Sequence, residues 1–170
     1  MNQSRGFTVG HMLLTIVLFF VLVLVGAPLY TKAKERATQI STMSDMRMWG
    51  RALSSYIEDK GKAPTNPRGA LKYKKPIITE LSPYLEAIRI LDWWGHTFWI
   101  WTGAGNTAYG ITTQKEKDFL LVSTGKAGLR EGWKYDPQKP EAGFFKVSDI
   151  IDFENDLIMW NNTFIRCPKK

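Results

Sequence analysis

The chain has 170 residues, a formal charge of +7 and 44% hydrophobic residues, with one cysteine and two histidines. A single cysteine excludes an intramolecular disulfide and leaves Cys167 free or bound to another molecule. The Lys and Arg residues are scattered among acids, with no longer basic runs than Lys74-Lys75 and Lys169-Lys170, so the positive balance marks no nucleic-acid surface.

The first element is an apolar run. Met12 to Tyr30 spans nineteen residues without Lys, Arg, Asp or Glu. At about 1.5 Å per residue a helix of that length covers roughly 28 Å, close to a hydrocarbon core of about 30 Å. Six residues precede Phe7, and they carry one charge, Arg5. A secretory signal is cut after its apolar segment, at small residues. Here Ala27 is followed by Pro28, a poor cut site, so the segment reads as a retained anchor. Pro28 lacks a backbone donor and should kink or soften the helix near its outer end. Lys32, Lys34 and Arg36 follow the run, and a count of basic residues alone places the C-terminal part in the cytoplasm.

From Thr31 to Lys60 apolar residues recur at helical spacing: Ala33, Ala37, Ile40, Met43, Met48, Ala52, Tyr56 and Ile57. Gly61 supplies a stop and Pro64 lies just beyond. With the anchor, this predicts one helix of about fifty residues, its outer half burying an apolar stripe against a domain. About 140 residues follow the anchor, enough for one domain and not two.

Pro64 to Pro76 reads as a loop. Ile77 to Ile90 reads as a short helix with Leu81, Tyr84, Leu85 and Ile88 on one face. After Leu91 the period changes to two. Phe98–Trp101, Ala108–Thr112 and Phe119–Ser123 read as strands, with a turn at Gly103–Asn106. Trp93-Trp94-Gly95 would cap the core, the indoles burying area and the glycine permitting a tight turn. Asp156 to Arg166 reads as a hairpin whose Asn161-Asn162 pair tolerates the left-handed conformations of a two-residue turn. The fold class is therefore α+β, a long helix packed on a small antiparallel sheet.

Candidate chemistry is sparse. Ser123-x-Gly125-x-x-Gly128 lacks the Gly-Lys-Ser/Thr of a phosphate loop. His11 and His96 lie too far apart in the pattern to share a zinc or an active site, and no Cys-His pair or histidine-based triad stands out. No enzymatic role is expected. Asp149, Asp152, Glu154 and Asp156 form an acidic stretch, which is either a solvated loop or a set of hard oxygen ligands suited to calcium.

The N-terminus resembles the type IV pilin superfamily. The residues that carry this are Arg5-Gly6 followed by Phe7-Thr8-Val9, the apolar run, and Pro28 as the twenty-second residue counted from Phe7. The resemblance implies cleavage between Gly6 and Phe7 by a prepilin peptidase, which methylates the new amine. It divides the chain into a leader (1–6), a transmembrane and assembly helix (7–30) and a periplasmic α+β domain of pilin-like fold (31–170). It also reverses the orientation given by the basic residues: leader in the cytoplasm, domain outside the bacterial inner membrane. The leader motif is more specific than four charges, and we follow it. One departure is His11, where the family has a Glu that pairs with the amine of a neighbouring subunit. A neutral imidazole accepts a hydrogen bond but cannot complete that ion pair.

The body is similar to the major pseudopilins of type II secretion. The stretches are Met46-Arg47 through Tyr56-Ile57-Glu58-Asp59-Lys60-Gly61 with Pro64, then Asp92-Trp93-Trp94-Gly95-His96, then Phe119 through Ser123-Thr-Gly125-Lys-Ala-Gly128, and Asn155-Asp156-Leu157-Ile158. The family has proline at the positions of Trp93 and Thr97, and aspartate where Ala127 stands. The resemblance implies a subunit of a helical fibre, with other copies of itself, related pilins, the prepilin peptidase, an inner-membrane assembly platform and the membrane as partners. It also offers Asp156 to calcium, with Asp152 and Asp149 beside it. The rivals are a minor or tip pilin, a type IV pilus subunit of adhesion, motility or DNA uptake, and a singly anchored periplasmic binding domain.

Overall fold

A computed structural model of the chain describes residues 9–64, 69–72, 76–103, 107–111 and 115–169. Helix α1 runs from Val9 to Lys60, 52 residues with Pro28 inside it. Thr15 and Thr31 each donate a side-chain hydrogen bond to the carbonyl four residues back, His11 O and Ala27 O. The chain forms two compact units, residues 1–35 and 36–170. The described part of the first is helix alone.

Among the described residues, the second unit holds the outer half of α1, a short helix α2 (Pro76–Leu81) and five strands: β1 (Trp99–Thr102), β2 (Phe119–Ser123), β3 (Phe144–Phe145), β4 (Leu157–Trp160) and β5 (Thr163–Pro168). The sheet order is β1-β2-β4-β5-β3. All neighbours are antiparallel except β3 and β5, which run parallel. The expected antiparallel sheet is thus a mixed one, with a two-residue parallel strand at one edge.

Strand alternation sorts the side chains onto two faces. Ile100, Leu121 and Met159 stand in register across β1, β2 and β4. They pack with Met46, Trp49, Leu53 and Tyr56 of α1 and with Ile77 and Leu81 of α2. On the other face Trp101, Leu120, Val122 and Ile158 pack with Tyr109, Ile111, Trp133 and Tyr135 from the connecting segments. Because both faces are covered, every residue of β2 is buried, and its sequence Phe-Leu-Leu-Val-Ser is nearly unbroken apolar.

The buried stripe of α1 differs from the one read from periodicity. Gln39, Thr42, Met46, Trp49, Gly50, Ala52, Leu53 and Tyr56 face inward, Ala52 and Tyr56 among them as expected, while Ile40 stays 58% exposed. The stripe begins with polar residues, which a search for apolar spacing passes over. Gly50 explains the close approach of α1 to the β4–β5 hairpin. A Cβ there would press on the Asn162 side chain and come within 2.7 Å of Met159 Cε.

Three further expectations are corrected. The helix expected over 77–90 ends early: α2 stops at Leu81, Ser82–Tyr84 is a 3₁₀ turn, and Leu85 is extended. Pro83 has no N–H for the Thr79 carbonyl, which accepts from the Ser82 hydroxyl at 2.9 Å instead. The strand expected from Ala108 is a 3₁₀ turn, because Tyr109 and Gly110 take φ of 56° and 76° in succession; Thr112 lies outside the described residues. Trp93 does not cap the core and is 48% exposed, whereas Trp94 is half-buried against it. The hairpin is as expected. Asn161 and Asn162 both take positive φ, 45° and 66°, between β4 and β5.

Candidate functional site

The positions singled out in the sequence lie in separate places. Gly6 and Phe7 fall outside the described residues. His11 is exposed on α1, and every residue from Val9 to Tyr30 is exposed. This helix is long and apolar enough to cross a membrane, with none of its most apolar window buried. α1 continues through Pro28 without a break, so the proline costs one hydrogen bond and does not end the helix.

Asp149 and Asp152 meet in a capping box. Asp149 Oδ1 accepts from Ile150 N at 2.6 Å, and Asp152 Oδ2 accepts from Ser148 N at 2.6 Å and Asp149 N at 2.8 Å. Together they start the 3₁₀ turn Ile150–Glu154. Asp156 is elsewhere and fully buried. Its Oδ2 accepts from the Tyr109 hydroxyl at 2.7 Å and from Glu131 N at 3.0 Å. Desolvation raises the Asp156 pKa, opposed mainly by the Tyr109 hydrogen bond. Burial and the nearby carboxylate likewise hold the Tyr109 hydroxyl well above the usual tyrosine range.

Positive charge beside Asp156 comes from arginines. Arg166 Nη2 lies 2.6 Å from Glu131 Oε2 and donates to Asn155 Oδ1 at 2.9 Å. Its guanidinium also stands over the rings of Trp133 and Phe145. Arg130 lies over Trp101 and Tyr109. The three aspartates do not converge on one point: Asp149 and Asp152 cap the 3₁₀ turn, while Asp156 Oδ2 is held by Tyr109 and a backbone amide and its buried Oδ1 has no hydrogen-bond partner. Among the described residues, no group of three or more His, Cys, Asp or Glu is placed to hold a metal ion.

Sequence reasoning missed the role of a second buried acid, Asp92, which is 3% exposed. Its Oδ1 accepts from Trp94 N at 3.0 Å and His96 N at 2.8 Å, and its Oδ2 accepts from Ser123 Oγ at 2.6 Å. The acid thereby builds the Trp-Trp-Gly turn and ties it to the end of β2. Gly95, with φ of 90°, makes the turn possible. Desolvation raises the Asp92 pKa, and its three hydrogen bonds pull the other way. Gly125 completes the junction. A Cβ there would come within 2.6–2.9 Å of the carbonyl oxygens of Phe153, Glu154 and Asn155, and its φ is 59°. The glycine is thus a packing device between two loops, not part of a phosphate cradle. Cys167 is free and buried among the core residues, and burial pushes its thiol pKa up.

Compared with models of known families, with curated proteins and with solved structures, the chain matches none.

Proposed function

We propose that the chain is a structural subunit of a pseudopilus or pilus-like fibre, most like a major pseudopilin of type II secretion. One observation supports this above the others. α1 passes without interruption from an apolar half that is exposed at every residue to a half that packs on a sheet. Exposed apolar surface on that scale needs an apolar surrounding. Lipid supplies it before assembly, and the helices of neighbouring subunits supply it in a fibre. Head-to-tail contacts of that kind propagate into helical filaments. The partners are further copies and related pilins, an inner-membrane assembly platform and the prepilin peptidase. The chain itself has no catalytic role in this reading.

His11 favours a variant of the same reading. A subunit at the fibre tip does not dock beneath an earlier one, so it needs no acid to meet a neighbour's amine. The test is N-terminal and intact-mass analysis of the protein taken from native membranes. A mature chain that begins at methylated Phe7 is expected, and Gly6→Ala should retain the leader. An intact Met1 in the presence of the matching peptidase would sink the reading and leave a singly anchored domain.

A further inference from the structure

In the second unit, α1 and the end of β5 border a groove of about 220 Å³. Arg36, Arg47 and Lys169 line it, and no Asp or Glu does. Ile40 and Met43 add apolar surface to the same lining, and Ile40 is 58% exposed. Gln39 stands among them, buried, with its Nε2 lacking a hydrogen-bond partner. Few native donors stay unmet, so this lining calls for acceptor oxygens. The volume is below the roughly 300–1,000 Å³ of small-molecule sites and suits a side chain or two. Another surface of the chain has the opposite character. Val147 to Ile165 contains no Lys or Arg, and no stretch of the chain outside 149–156 places three acids within six residues. Asp149 and Glu154 are exposed there, and between them stands Ile151, 65% exposed. The capping box of Asp149 and Asp152 already fixes this turn, so docking it orders little further backbone.

We infer that this groove receives the acidic turn, residues 149–154, of a second copy of the chain. The charges are complementary: Arg36, Arg47 and Lys169 on one copy meet Asp149, Asp152 and Glu154 on the other. Arginine suits carboxylates because its fork presents two donors at once. Ile151 meets Ile40 and Met43, which takes apolar surface of both copies out of water. Opposite patches also favour this pairing of surfaces over groove against groove or turn against turn, where like charges would face each other. Groove and turn are different surfaces of one chain. Each copy therefore gives its turn to one neighbour and its groove to another, a heterologous contact that repeats along a filament. The inference rests on the fibre reading given above and names a contact surface within it.

The test uses two full-length copies with different affinity tags, expressed together in one membrane. One carries Ile40→Cys and the other Ile151→Cys, both at exposed positions. Treatment with copper phenanthroline should link them into a mixed dimer. Wild-type chains, whose one cysteine is the buried Cys167, set the background. Adding Arg36→Glu and Lys169→Glu to the Ile40→Cys copy should cut the mixed yield about tenfold or more. Arg36→Lys with Lys169→Arg should keep it. Both side chains are exposed, and unchanged circular dichroism would show that the fold survives. Absence of the mixed dimer, or a yield that survives the reversal of charge, overturns the inference. So does an equal yield from two copies that both carry Ile40→Cys, which would mean that α1 meets α1 at this place. N-terminal analysis of the same membranes reads the fibre separately. A chain processed at Phe7 that gives no mixed dimer keeps the fibre and loses this contact. A mixed dimer from a chain that retains Met1 keeps the contact and loses the fibre.

Discussion

The two halves of α1 share one backbone and differ in what surrounds them. Val9 to Tyr30 is the most apolar stretch of the chain, and all of it is exposed. The outer half is mixed in composition, yet it buries Trp49, Leu53 and Met46 completely and even encloses Gln39 and Thr42. Hydropathy therefore predicts burial in opposite directions in the two halves. In the outer half, partners within the chain cover the helix. In the first half none do among the described residues, and the apolar surface is fitted to a surrounding the chain does not supply.

Trp49→Ala against Leu18→Lys separates the halves most strongly. Trp49 is fully buried, and its indole N–H donates to Arg89 O at 2.9 Å. Its loss should cost about 3–5 kcal/mol of folding stability, read by urea unfolding in detergent. Leu18→Lys should leave that stability unchanged and weaken membrane insertion by roughly 3–4 kcal/mol, read by a translocon insertion assay. A folding defect in Leu18→Lys would mean that the exposed half has partners in the folded chain, and the contrast would fail.

The next effect belongs to the loop-covered face of the sheet. Arg166→Gln removes the cation beside Glu131 and should cost roughly 1.5–3 kcal/mol. Addition of a calcium chelator should leave the melting temperature of the wild-type chain where it was. A large drop on chelation would give the acidic stretch back to a metal and take the clamp away from Arg166. Gly50→Val sharpens the comparison on the helix-covered face. The added side chain meets Met159 and displaces Asn162, whose amide donates to Ser54 Oγ at 2.6 Å. Overpacking there should cost about 1–3 kcal/mol. Gly26→Val, in the half where nothing lies within 4 Å of a Cβ, should leave folding stability unchanged.

Legibility in the sequence follows the range of the interactions. The long helix, four of the strands and the Asn-Asn turn rest on local pattern, and they stand where periodicity and turn chemistry put them. The roles of Asp92 and Asp156 depend on partners far along the chain, Ser123 and Tyr109, which no local window connects. Ala108 to Tyr109 looked like a strand because its alternation was right. The tyrosine takes a left-handed conformation instead, and its hydroxyl reaches Asp156. The helical spacing over Ile77–Ile90 runs on across Pro83. The proline's missing donor, made good by the Ser82 hydroxyl, ends the regular turn there. The acidic stretch 149–156 showed its composition and not its division of labour, since a capping box and a buried acid have the same residues as a metal loop.

The smallest effect is one of pH, and it lies in the second unit, where Asp156 is fully buried. Asp156 is harder to ionise in the folded chain than in the unfolded one, since desolvation outweighs the Tyr109 and Glu131 hydrogen bonds and the nearby Arg166. Within that range of pH the folded state binds more protons, so stability falls as pH rises. The contribution of Asp156 is complete below the usual carboxylate pKa and is lost as pH rises through its raised folded value. Asp92 has the same sign. Asp156→Asn keeps an acceptor for the Tyr109 hydroxyl and removes the ionisation. Urea unfolding of both proteins, from acid to neutral pH, should show the wild-type advantage over Asp156→Asn shrinking as pH rises. A constant gap would mean that Asp156 ionises as easily in the folded chain as in the unfolded one. Arg130 and Arg166 would then neutralise it fully, and burial on the loop-covered face would carry no electrostatic cost.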